Sequence, residues 1–76
     1  MSNQEISTEE HTYTIVLTNV TGDRKRVVLA KAGFEYDPAE HVFVKKNASR
    51  REVLEYHELI ESGTWPKVAM RFRANV

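Results

Sequence analysis

Apolar and polar residues alternate in two stretches of the chain and recur at helical spacing in a third. In "TYTIVLTNV" (12–20), Tyr13, Ile15 and Leu17 fall on one face and Thr14, Val16 and Thr18 on the other, the period-two pattern of a strand with one buried side. "KVAMRFR" (67–73) repeats it, with Val68, Met70 and Phe72 opposed to Lys67, Ala69, Arg71 and Arg73. Between them Val53, Tyr56 and Ile60 share a face at the 3.6-residue period, flanked by Leu54 and Leu59, which predicts an amphipathic helix. "SRRE" (49–52) is its start signal: the Ser49 hydroxyl accepts from the Glu52 amide while the Glu52 side chain reaches back. Gly63 suits the position just past its end, and Pro66 prevents it from continuing.

The remaining segments fill in the order. "TGD" (21–23) supplies a tight turn, because glycine takes the positive φ that hairpins need. "RKRVVLAKA" (24–32) then reads as a second strand, antiparallel to the first. Gly33 breaks the run. "FEY" (34–36) and "HVFVKK" (41–46) read as short strands joined by "DPAE", with Asp37 and Pro38 suited to the first two positions of a type I turn. The predicted architecture is two-layer α+β in the order β-β-β-β-α-β, an antiparallel sheet of four to five strands packed on one helix. It occupies residues 11–76 as a single small domain, behind a flexible acidic tail at 1–10.

Composition narrows the class. A chain of 76 residues supports one compact core and buries only about 60% of the surface its unfolded form exposes. It has no cysteine, so no disulfide or thiolate metal site supplements that core. The net charge is zero, with three of the 11 acidic residues in the first ten positions and all 11 basic residues beyond them. The folded part thus carries 11 basic against eight acidic residues, too mild a bias to define a nucleic-acid-binding protein by itself. "MSNQEISTEE" has neither a basic nor an apolar region of a secretory signal, and no apolar run is long enough to span a bilayer. A cytoplasmic chain without membrane contact is expected, in which the triplets at Asn19 and Asn47 are coincidental matches to the glycosylation pattern.

No catalytic, metal or cofactor site is assigned, and the chain does not read as an enzyme. Ser2, Ser7, Ser49 and Ser62 lie in the tail, at the helix cap or at the helix end, without the strained turn that activates a serine. The three histidines lack metal-ligand spacing, and the glycines stand too far apart to cradle a phosphate. His57 reads as an edge-of-core residue, and His41 as a partner of Glu40 or a solvated side chain. Trp65 reads as a plug closing one end of the core, with an exposed anchor as the alternative.

The basic residues are the candidates for partner contact: Arg24, Lys25 and Arg26; Lys45 and Lys46; Arg71 and Arg73, with Arg50 and Arg51 nearby on the helix. If the first, fourth and last strands share a sheet, several of these converge on its open face. There they would neutralise phosphates while an exposed aromatic such as Phe43 stacks a base. A face carrying Thr14, Thr18, Arg71 and Arg73 is equally suited to a protein.

One segment carries a resemblance. "KAGFEYDPAEHVFVKK" (31–46) resembles a short hairpin module of uncharacterised phage and plasmid proteins, matching it at Lys31, Gly33, Tyr36, Asp37, Phe43 and Val44. Tyr36 and Phe43 stand where the module usually has tryptophan, and a strand is expected before the glycine where the module has a helix. The resemblance implies that these aromatics pack the hairpin. It also implies a small mobile-element protein that docks stoichiometrically on a host protein or protein–nucleic-acid complex as an inhibitor or modulator, of an anti-defence kind. The alternative is an accessory domain that binds DNA or RNA directly through its basic sheet face. Monomer and homodimer both stay open.

Overall fold

The computed structural model describes residues 11–75, so the tail expected at 1–10 lies outside the described residues. The elements are β1 (Tyr13–Thr18), α1 (Asp23–Lys31), β2 (Glu35–Asp37), β3 (Val42–Ala48), α2 (Arg50–Glu61) and β4 (Ala69–Ala74). The sheet runs β2-β3-β1-β4, and every neighbouring pair is antiparallel. Two β-α-β units, each skipping one strand, interlock in this way, which is the split βαβ or ferredoxin-like arrangement. The α+β class and the antiparallel sheet agree with the sequence reading. The sheet has four strands and two helices pack on it.

The extra helix corrects the strand expected at 24–32. Arg24, Lys25, Arg26, Leu29, Ala30 and Lys31 are good helix formers, and they outweigh the β-branched pair Val27–Val28. The helix ends in a Schellman motif: the Phe34 amide donates to the Leu29 carbonyl at 3.1 Å and the Gly33 amide to the Ala30 carbonyl at 3.0 Å. Gly33 has φ 98°, so it breaks the run as a helix terminator and not as a strand breaker. Phe34 and Leu29, brought together by that motif, are both buried. "TGD" is accordingly the entry to α1, with Gly22 at the N-cap.

α2 forms as its sequence predicts. The capping box is closed in both directions, and the 12-residue helix buries Val53 and Tyr56. Gly63 follows the Ser62 C-cap with φ 81°. Leu54, expected on the flank of the apolar face, is 59% exposed.

The core lies between the helices and one face of the sheet. Ile15, Leu17 and Phe43 come from β1 and β3, Leu29 from α1, Val53 and Tyr56 from α2, with Val20, Phe34, Ala48 and Val68 closing the ends. Register fixes which side faces in: Ile15 pairs with Phe72, Leu17 with Met70 and Phe43. A bulge between Tyr13 and Ile15 of β1 and the facing residues of β3 lets Lys45 and Ala48 both point inward; Asn47 takes φ 59° there. Asn19, at φ 62°, ends β1. Both asparagines of the glycosylation triplets thus answer a left-handed backbone.

Candidate docking surface

The hairpin β2–β3 carries the aromatics Tyr36 and Phe43 and the basic pair Lys45–Lys46. Asp37 organises the turn: its Oδ1 accepts from the amides of Ala39 (3.0 Å) and Glu40 (3.4 Å), and its carbonyl accepts from the His41 amide at 2.8 Å. His41 closes the loop at φ 59°, with its Nδ1 3.2 Å from the Tyr36 hydroxyl. Tyr36 and Phe43 pair across the strands with ring centroids 5.1 Å apart. Phe43 is buried, so it is not the exposed base-stacking aromatic that the nucleic-acid reading required.

Lys45 also points inward. Its Nζ donates to the Tyr56 hydroxyl (2.7 Å), the Glu52 carboxylate (2.9 Å) and the Ala32 carbonyl (3.0 Å), using all three of its protons. The same nitrogen lies over the rings of Tyr56 and Phe34, at 5.2 and 5.8 Å. Burial alone would pull the Lys45 ammonium down, but the hydrogen bonds and charges of Tyr56 and Glu52 outweigh it and hold its pKa above the ordinary value. The hydrogen bond from Lys45, helped by the Ser49 amide, holds Glu52 below the usual carboxylate range. These two perturbed groups neutralise each other at a structural joint between β3, the end of α1, and α2. Lys45 therefore leaves the set of partner-binding candidates.

Trp65 completes that joint from the other side. Its ring stacks on Tyr56 at 5.1 Å and meets Phe34 edge-on at 6.2 Å, the plug role expected of it. His57 departs from expectation: it is solvent-facing on α2, with Nε2 3.9 Å from Glu61.

The remaining basic residues divide between the two layers. Arg24, Lys25 and Arg26 ride on α1. Lys25 Nζ donates to the Asn19 carbonyl at 3.0 Å, and the Arg26 guanidinium sits 4.9 Å from the Tyr36 ring centroid. Arg50 and Arg51 open α2. The strands of 12–20, 41–46 and 67–73 do share one sheet, but α1 carries Arg24, Lys25 and Arg26 to the helical layer. Lys46, Arg71 and Arg73 do share the open face of the sheet.

That open face consists of the alternate residues. β1 contributes Thr14, Val16 and Thr18, β3 contributes Val42 and Val44, and no aromatic lies among them. Register places Glu35, Val44, Val16 and Arg71 in one row across all four strands. The next row is Asp37, Val42, Thr18 and Ala69, and Thr14 faces Arg73 at the other end. The middle is thus a platform of β-branched side chains, half-buried by their in-sheet neighbours. One rim is basic, at Arg71 and Arg73, and the other acidic, at Glu35 and Asp37. Hydrophobic alternation pointed to Arg71, Arg73 and the threonines; Glu35 and Asp37 were missed because their opposition depends on strand order, which alternation does not encode.

Among the described residues no group of histidine and carboxylate side chains is able to hold a metal ion, and no helix is long and apolar enough to cross a membrane. No protein-family model, no curated protein and no solved structure matches the chain.

Proposed function

We propose that this chain is a non-enzymatic binding protein that docks on another protein through the open face of its sheet. The observation that carries the reading is the makeup of that face: a continuous β-branched platform that no other element among the described residues covers, bounded by charges of opposite sign. Apolar centre and charged rim are the usual division of labour in a protein interface. Arginine at such a rim steers the approach and fixes register. The perturbed titratable pair, Lys45 and Glu52, serves a structural joint. The resemblance of residues 31–46 extends the proposal to a host-directed inhibitor or modulator. It is supported by the helix that precedes Gly33, which removes one of the two departures from that module.

A second reading, direct contact with DNA or RNA, draws on Lys46, Arg71 and Arg73 sharing one face. Two acidic residues on the same face and the inward orientation of Phe43 weigh against it.

Affinity capture with matched variants tests the first reading. Val44→Lys on the open face should remove a captured protein that Arg50→Glu on α2 leaves in place, with both variants folded by circular dichroism. Equal capture by both variants contradicts it. Fluorescence anisotropy with labelled DNA and RNA at two salt concentrations tests the second. Binding that weakens steeply with salt and is lost in Arg71→Glu supports phosphate contact, and no binding at low salt removes it.

A further inference from the structure

We infer that the open face takes a second copy of this chain, in a dimer whose twofold axis runs parallel to the strands between β1 and β3. This rests on the reading of that face as the docking surface and names what covers it when no other protein is bound. The argument is the placement of charge. In the row Glu35–Val44–Val16–Arg71 the acidic residue is on one edge strand and the basic residue on the other. A twofold axis along the strands exchanges the two edges. It lays Arg71 of each copy over Glu35 of the other, with Arg73 beside the same carboxylate. The alternative twofold axis, across the strands, sets Arg71 on Arg71 and Glu35 on Glu35, which costs energy at both rims. Charge selects one isologous arrangement out of two.

The centre of the face fits the same geometry. Val16 lies against Val44 of the other copy, and Thr18 against Val42, so β-branched side chains meet β-branched side chains across the axis. Aligned sheets pack about 10 Å apart, a gap that short branched side chains fill and that arginine and glutamate span from either side. Lys46 comes over Thr14 at the rim, where its stem can carry the charge out to water. Four strands at their usual spacing make a face of about 400 Å² in projection. That is small beside the roughly 800 Å² per partner of stable complexes, so the dimer is weak and reversible.

Charge exchange decides it. Sedimentation velocity over a concentration series should show a reversible monomer–dimer equilibrium for the natural chain. Arg71→Glu and Glu35→Arg should each raise the dimer Kd by about tenfold or more. The doubly exchanged chain, carrying both substitutions, should return to within about threefold of the starting Kd, because each new glutamate again meets an arginine. Circular dichroism melts of all three variants verify that these exposed positions leave the fold intact.

A natural chain that is monomeric throughout overturns the dimer. So does a dimer that neither single substitution weakens, as pairing along the β4 edge would give. A double variant no better than the singles rejects this axis. If the chain is monomeric but Val44→Lys still abolishes protein capture, the dimer fails and the docking reading stands. If capture is also unaffected, both fail.

Discussion

The two faces of the sheet are built by the same strands from alternate residues, yet they follow different rules. On the covered face the side chains differ in size and shape: Ile15, Leu17, Phe43 and the stem of Lys45 interlock with Leu29, Val53 and Tyr56. The only charge there is fully partnered. On the open face the central side chains are small and alike, and the charges stand at opposite rims. A core demands complementary shapes that fit once. A platform of like side chains suits a surface that must be stable exposed and still bury well. The difference teaches that one face is committed to the fold and the other is free for association.

The largest effects belong to the covered face. Leu29 is fully buried, and Leu29→Ala should lower unfolding free energy by about 2–5 kcal/mol, measured by urea denaturation. A truncation of the same kind at a half-buried position of the open face, Val16→Ala, should cost only about 1 kcal/mol; equal costs would erase the contrast. Lys45→Met comes next. It leaves the Glu52 carboxylate, the Tyr56 hydroxyl and the Ala32 carbonyl without their shared donor, and should cost about 1–3 kcal/mol. Gly33→Ala should follow at about 1–2 kcal/mol, since φ is 98° and an added Cβ would lie 3.3 Å from Lys45 Nζ. Arg71→Glu should change stability by no more than about 0.5 kcal/mol while altering association.

The Lys45–Glu52 joint also sets a pH dependence. Glu52 is lowered from 4.5 in the folded state, so its contribution is present above that pH and is lost as pH falls through the folded value. Lys45 is raised above 10.5, so its contribution is complete below that pH and is lost as pH rises through the folded value. Thermal melts should show a broad plateau between these limits. In Lys45→Met the alkaline loss due to this joint should vanish, and the acid-side loss should shrink. A variant with the same profile as the natural chain would mean the joint does not couple to folding.

Much of this was legible in sequence, and the exceptions have physical causes. The capping box Ser49–Glu52 and the alternation at 12–20 are local signals, and the structure follows them; at 67–73 Val68 is buried and Met70 half-buried, but Phe72 on the edge strand β4 is 51% exposed. α1 was not legible, because Leu29 is its one buried residue, so its apolar stripe is too narrow to impose a helical period on Val27 and Val28. The run "LAKAGF" held the missing signal: a glycine just past helix formers, followed by an apolar residue, is the Schellman pattern. Lys45 and Lys46 look equivalent in sequence. One residue of register sends the first into the core joint and the second to the open face. The opposition of Glu35 and Arg71 was beyond reach until the order β2-β3-β1-β4 placed them at the two ends of one row.

The most direct test of self-association through the open face is a methyl NMR spectrum of the protein at low and at high concentration. The account predicts concentration-dependent shifts at Val16, Val42 and Val44 on the open face, with Ile15 and Leu17 on the covered face unmoved. Shifts confined instead to Val27 or Leu54 on the helices, or absent from every methyl, would contradict it.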